Sequence, residues 1–153
     1  MLLFLLGLFP LLAAASPIAP RAGGPVATPI PANCTTINPL SHASCGTANV
    51  SGYAPSANFT AAHQIYSAYF ESSLSQSAQA TQCMQQCYGF GLEGSCKSAL
   101  IGSQIPTPKG YYGTAGGVLE TACLMYDAYL DPTMFVQALE GQYVNETVHN
   151  IYC

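Results

Sequence analysis

Two cysteines four residues apart, Cys83 and Cys87, stand in the most regular stretch of this chain, and they restrict its fold more than any other feature. Ala80, Cys83, Met84, Cys87 and Tyr88 recur at the i, i+3, i+4, i+7, i+8 spacing of an amphipathic helix, with Gln79, Gln82, Gln85 and Gln86 left to the other face. Ser75 or Ser77 is placed to cap its start, and Gly89 to stop it in a left-handed conformation. On one helical face, residues four apart hold their Cβ atoms about 5–6 Å from each other, further than a disulfide spans. The two cysteines must therefore reach outward to separate partners. The segments Cys96 to Ile101 and Thr121 to Tyr126 read as strands, and each brings one cysteine. The short link from Gly89 to Gly94 can return Cys96 to the helix end that carries Cys87, which leaves Cys83 for Cys123. The expected fold is α+β: a small antiparallel sheet with one helix packed on it, disulfide-stapled, with long loops.

Bridges of this kind need an oxidising compartment, and the amino terminus points to one. Met1 to Ala15 is an apolar run ending in small residues, with Ala13 and Ala15 at the positions before a cleavage site, and it reads as a signal peptide despite lacking a Lys or Arg ahead of it. Cleavage there leaves 153 − 15 = 138 residues with no stretch approaching the roughly 18 apolar residues of a membrane span. Secretion is the implied localisation. Asn33, Asn49, Asn58 and Asn145 each head an N-x-S/T acceptor pattern. Glycans at these sites would supply solubility to a chain in which only 7% of residues are charged. A net charge of −4 without a basic run argues against nucleic acid as a partner.

Along the chain, residues 16–32 hold five Pro and read as an extended linker, residues 33–63 as a loop-rich glycosylated lead-in, and residues 64–153 as the folded domain. Gln64 to Phe70 reads as a strand, Asp131 to Ala138 as a short capped helical turn with Pro132 at its first position, and Gln142 to Cys153 as a terminal strand. Between the two cysteine-bearing strands lies a long turn-rich loop, Pro106 to Gly117.

The pattern Cys83-x3-Cys87, Cys96-Lys97-Ser98 and Cys123-x-Met125-Tyr126 resembles the core of the PAN/apple-like module, and the stretch Gln82 to Tyr126 together with the ending Gly141 to Tyr143 is similar to small secreted proteins of filamentous fungi that carry this module. The resemblance implies the crossed pairing Cys83–Cys123 and Cys87–Cys96, a third bridge joining the chain ends, and a role in adhesion or ligand binding. For the third bridge Cys153 can meet Cys45 or Cys34. Cys45–Cys153 is favoured here, with the local pair Cys34–Cys45 close behind, and the odd cysteine is left able to link two chains.

Little in the chain points to catalytic chemistry. The spacing of His42, His63 and His149 and of the one close cysteine pair does not suit zinc, so no metal and no cofactor is expected. The motifs of common hydrolases and phosphate-binding loops are missing. Glu120, Asp127 and Asp131 are the carboxylates that a glycosidase-like pair would draw on, but surface roles suit them better. Lys97 and Lys109 read as solvent-facing, and Met84 and Met125 as core. Tyr111 and Tyr112, in the long loop, are the candidate binding residues, because Tyr offers a rigid amphipathic face to proteins and sugars at small entropic cost. The expected function is that of a secreted, non-enzymatic binding module for an extracellular protein or polysaccharide. The alternatives are a small secreted hydrolase using those carboxylates and a passive glycosylated wall or surface protein.

Overall fold

The computed structural model describes residues 24–42, 51–70 and 74–153. The signal segment, Cys45 and Asn49 lie outside them. The strands are β1 (Thr35–Ile37), β2 (Tyr53–Pro55), β3 (Gln64–Phe70), β4 (Ser98–Pro106), β5 (Leu119–Tyr126), β6 (Phe135–Gln137) and β7 (Val144–Tyr152), and the helices are α1 (Ala57–His63) and α2 (Gln76–Tyr88). Five strands form one antiparallel sheet in the order β1-β7-β4-β5-β3, and β2 and β6 pair as a separate short ribbon.

The sheet is covered on both faces. One face carries Ala99, Ile101, Cys123, Met125 and Ile151 against Cys83 and Cys87 of α2. The other carries Leu100, Ala122, Leu124, Tyr126 and Val148, covered by Leu40, Leu130, Phe59 and Phe135. This explains why β4 is buried without alternation from Ser98 to Gly102. It is a central strand with a neighbour on each side and a layer on each face.

Helix α2 starts where Ser75 accepts a hydrogen bond from the Ala78 amide, satisfying one of the orphan donors of its first turn. Its buried residues are Gln79, Cys83, Gln86 and Cys87, so the inward stripe is rotated from the one expected. Met84 and Ala80 lie at its margin, half-buried. The two bridges set this orientation: Cys83 bonds to Cys123 and Cys87 to Cys96. The segment from Gly24 to Ala32 also contributes. It forms no helix or strand, and part of it lies against the helix end, with the Thr28 amide donating to the Gln85 carbonyl at 3.0 Å. Gly89 does not adopt the expected left-handed conformation, since its φ is −80°. Its glycine is required instead because a Cβ would run into the Val26 carbonyl and come within 2.6 Å of Thr28 Oγ1.

The third bridge corrects the sequence reading. Cys153 bonds to Cys34, not to Cys45. β1 pairs with β7 in the register Thr35↔Tyr152, Thr36↔Ile151, Ile37↔Asn150, so the next pair out along the ladder is Cys34 opposite Cys153, and their Cα atoms are 4.2 Å apart. The six described cysteines thus pair among themselves, and Cys45 has no cysteine left to join within the chain.

Four further elements were not expected. The lead-in contains β1, β2 and the short helix α1, capped by Ser56, so two helices rather than one flank the sheet. The turn after Asp131 is helical only over Pro132–Met134 and continues as β6. There the Ser56 amide bonds the Met134 carbonyl, and the ribbon pairing with β2 replaces further helical bonds. Among the described residues no helix is long and apolar enough to cross a membrane.

Candidate functional site

The loop between β4 and β5 holds the two predicted tyrosines. It is closed at its base by Thr107 N–H to Val118 O and Gly117 N–H to Thr107 O, both at 2.8 Å. Its apex is a 3-10 turn at Tyr111–Gly113. Tyr112 there has φ 46° and ψ 36°, left-handed for a bulky residue, a conformation that side chains of this size avoid unless their surroundings impose it. Gly116 is needed for the return of the chain. Its φ is +79°, and a Cβ would come within 2.6 Å of the Lys109 nitrogen.

Tyr112 is 59% exposed, and its ring meets Tyr111 edge-on at 4.5 Å between centroids. Tyr111 is half-buried and packs on Tyr69 of β3 at 4.4 Å. An exposed ring is thus braced by two further rings down to the sheet. Val118 and Leu119 beside it are also exposed.

Beneath this loop, on the face opposite α2, the tyrosines continue inward to a carboxyl group. Tyr69 stands opposite Ala122 on β5, and Ala122 opposite Gly102 on β4. Next to Gly102 lies Glu146 of β7, so close that a Cβ on Gly102 would come within 2.9 Å of its Cγ. Burial raises the Tyr69 hydroxyl to about 12, with the neighbouring Tyr111 adding to the effect. It raises Tyr126 further still, and Tyr143 as well, the latter helped by Glu146.

Glu146 is the most unusual group of the molecule. It is 2% exposed, and among the described residues neither carboxyl oxygen has a partner at hydrogen-bond geometry. The backbone amides of Glu146, Tyr53 and Gly52 lie near enough to oppose the effect, but burial dominates and pushes its pKa up to about 7. The Gly52 amide is already committed to the Tyr143 carbonyl at 2.6 Å.

The backbone around Glu146 is also irregular. Both the β4–β5 and β4–β7 ladders shift register just past Gly102 and Ile101. Gln104, Tyr143 and Asn145, all non-glycine, have φ of 57°, 53° and 54°. Glu146 gave no signal in the sequence beyond being an acidic residue within a sequon. Its neighbours on its own face, Val148 and Asn150, are equally buried, and only the assembled sheet shows that the alternation brings it inside.

Glu120 and Asp127, two of the carboxylates considered for hydrolysis, do not converge. Glu120 lies near the start of β5 and Asp127 just past its end, about 23 Å apart at 3.3 Å per residue, against the 5–9.5 Å of glycosidase pairs. Asp127 faces His63, with Oδ1 2.9 Å from Nδ1. Asp131 caps its own turn through Thr133, and those hydrogen bonds hold its carboxyl below the usual value. Among the described residues, no three His, Cys, Asp or Glu side chains are grouped as a metal site would need. Of the sequon residues, Asn33, Asn58 and Asn145 are exposed.

A second pair of exposed tyrosines lies at the other end of the sheet. Tyr129 and Tyr152 stack at 4.4 Å with an interplanar angle of 21°, and the Lys97 ammonium sits 5.9 Å from the Tyr129 ring centre.

Fold and bridges together define the class: a small α+β domain in which a helix is stapled by disulfides to an antiparallel sheet. No protein-family model matches the chain, and no curated protein and no solved structure compared with it gives a significant match.

Proposed function

We propose that this chain is an exported, N-glycosylated domain of PAN/apple-like construction that binds an extracellular polysaccharide or protein without catalysing a reaction, and that Tyr112 and Tyr111 are its contact residues. The crossed bridges of α2, Cys83 to Cys123 and Cys87 to Cys96, support the PAN/apple-like reading. The apolar leader and the four sequons support export. One observation carries the binding role: Tyr112 is held outward in a strained backbone and braced from below by Tyr111 and Tyr69. A ring fixed in this way loses little rotamer freedom on meeting a partner, which is the main advantage a pre-organised aromatic contact has over a mobile one.

The test is retention of the oxidised, glycosylated protein on insoluble cell-wall polysaccharides and on extracellular-matrix proteins. Saturable retention that drops at least tenfold in Tyr112→Ala, with unchanged thermal unfolding, is the expected result. Retention equal in the wild type and in the double variant Tyr111→Ala/Tyr112→Ala removes this loop as the contact surface. Turnover of a glycan or ester substrate abolished by Glu120→Gln or Asp127→Asn would replace the reading with the hydrolytic one.

A further inference from the structure

We propose that Glu146 is the catch of a proton-operated latch: with its carboxyl protonated, the β2–β6 ribbon stays closed over the sheet, and ionisation lifts the ribbon so that the carboxylate reaches water. The inference rests first on geometry. Glu146 is buried, and among the described residues neither oxygen has a partner at hydrogen-bond geometry, the amides of Glu146, Tyr53 and Gly52 only approach it, and neither described lysine forms an ion pair with it. A carboxylate in that position faces no opposite charge, the approaching amides offset only part of the cost of burial, and burying an unpaired charge is among the least favourable arrangements in a protein interior. The group must stay protonated or gain access to solvent.

The ribbon is the cover that can move. Its strands are three residues each, and a two-stranded ribbon is marginal by itself. It is held down by Pro55, which is buried, by Phe135, which packs at the edge of the core, and by the bond from the Gly52 amide to the Tyr143 carbonyl. Tyr53 and Val136 on it are partly exposed. Gly52 and Tyr53, at the start of β2, are the covering residues whose amides approach the carboxyl. Opening at this point releases Pro55 and Phe135 from the edge of the core and leaves the five-stranded sheet intact. Sub-global openings are drawn from such weakly held elements.

The titratable groups around Glu146 do not neutralise it. Just before β7 the neighbour is Tyr143, from β2 the Tyr53 amide approaches, and beyond Tyr143 lie Tyr126 of β5 and Tyr69 of β3; burial raises the pKa of the Tyr143, Tyr126 and Tyr69 phenols, while Glu120 of β5 bears on Tyr69. From β4 it meets Gly102, which does not titrate. The left-handed residues Gln104, Tyr143 and Asn145 put local strain at the same place, as switch regions often do.

Amide hydrogen exchange on the full oxidised chain, corrected for intrinsic rates, tests the latch. If the ribbon opens to ionise Glu146, the opening constant for amides of β2 and β6 rises about tenfold per pH unit between the ordinary carboxyl value and about 7, then levels off. These amides open at lower free energy than those of β4 and β5. In Glu146→Gln the ribbon's opening constant is flat with pH. A pH-independent ribbon, with the slope confined to core amides, would mean that the carboxyl is released only by global unfolding and would overturn the proposal. The carboxyl carbon-13 shift of the wild type gives a readout that needs no variant: titration of Glu146 at the value of an exposed carboxyl also overturns it.

Discussion

The two faces of the five-stranded sheet solve the same burial problem by different means. The face under α2 is lined by Cys83, Cys87, Cys96 and Cys123 with Ala99, Ile101 and Met125, and it is locked by two disulfides. The opposite face has no sulfur bridge among its described core. It relies on larger rings and branched chains, Tyr126, Leu100, Leu124 and Val148, and it encloses an orphan carboxyl. Covalent closure makes the first face insensitive to imperfect packing, which is consistent with its burying Gln79 and Gln86 as well. The second face depends on the match between side chains and on protonation state.

Their pH responses should therefore run in opposite directions. His149 stands opposite Ala99 on the helix face, and burial lowers its pKa from 6.5. The unfolded chain then takes up the proton more readily, so this residue withdraws stability as pH falls through its unfolded value. Glu146 behaves inversely. With its folded pKa raised from 4.5 to about 7, its contribution is intact below the unfolded value and is lost as pH rises through the folded one.

The comparison can be broken by experiment, and the bridges should show the largest effect. Removing Cys83–Cys123 as the double alanine variant should lower unfolding free energy by about 4 kcal/mol from loop entropy, read by urea denaturation. The shorter loop of Cys87–Cys96, with a separation of 9 against 40 residues, should cost about 3 kcal/mol. If both losses are negligible, the helix face is held by packing alone and the contrast fails.

Next in size is the carboxyl. Wild-type stability should fall by on the order of 2–3 kcal/mol between pH 4.5 and 7 on account of Glu146. In Glu146→Gln this limb should flatten while the acid limb from His149 persists. Denaturation midpoints across the pH range measure both limbs. A smaller and purely local loss is expected for Ser75→Ala, about 1 kcal/mol for the α2 cap. The smallest expected change is a gain: Tyr112→Gly relieves the left-handed strain and should stabilise by up to about 1 kcal/mol, while weakening retention on any ligand bound through that ring.

The helix face was the legible half of the molecule. Cys83 and Cys87 at i, i+4 cannot bond each other, and that one constraint leads to the stapled helix and its two strands. Strand β3, Gln64–Phe70, was equally plain from its aromatic and β-branched content. The rotation of α2 was not legible, because a helix rich in Gln has too weak an apolar stripe to define its inward side, and the bridges decide it instead. β1 was missed because Thr35–Ile37 is exposed and takes its order from pairing with a distant strand. The same pairing, absent from any local pattern, selects Cys34 over Cys45. Of the candidate site, the tyrosine loop could be read from its turn residues. Glu146 could not, since a lone acidic residue in a strand ordinarily faces water, and only the covering ribbon shows otherwise.

The Cys34–Cys153 link turns the intervening 119-residue span into a ring. A protease that nicks one peptide bond inside that ring opens it without releasing a fragment. Such a molecule would migrate intact on a gel until a reductant separates its pieces, and any function borne by an uncut segment would outlast the injury.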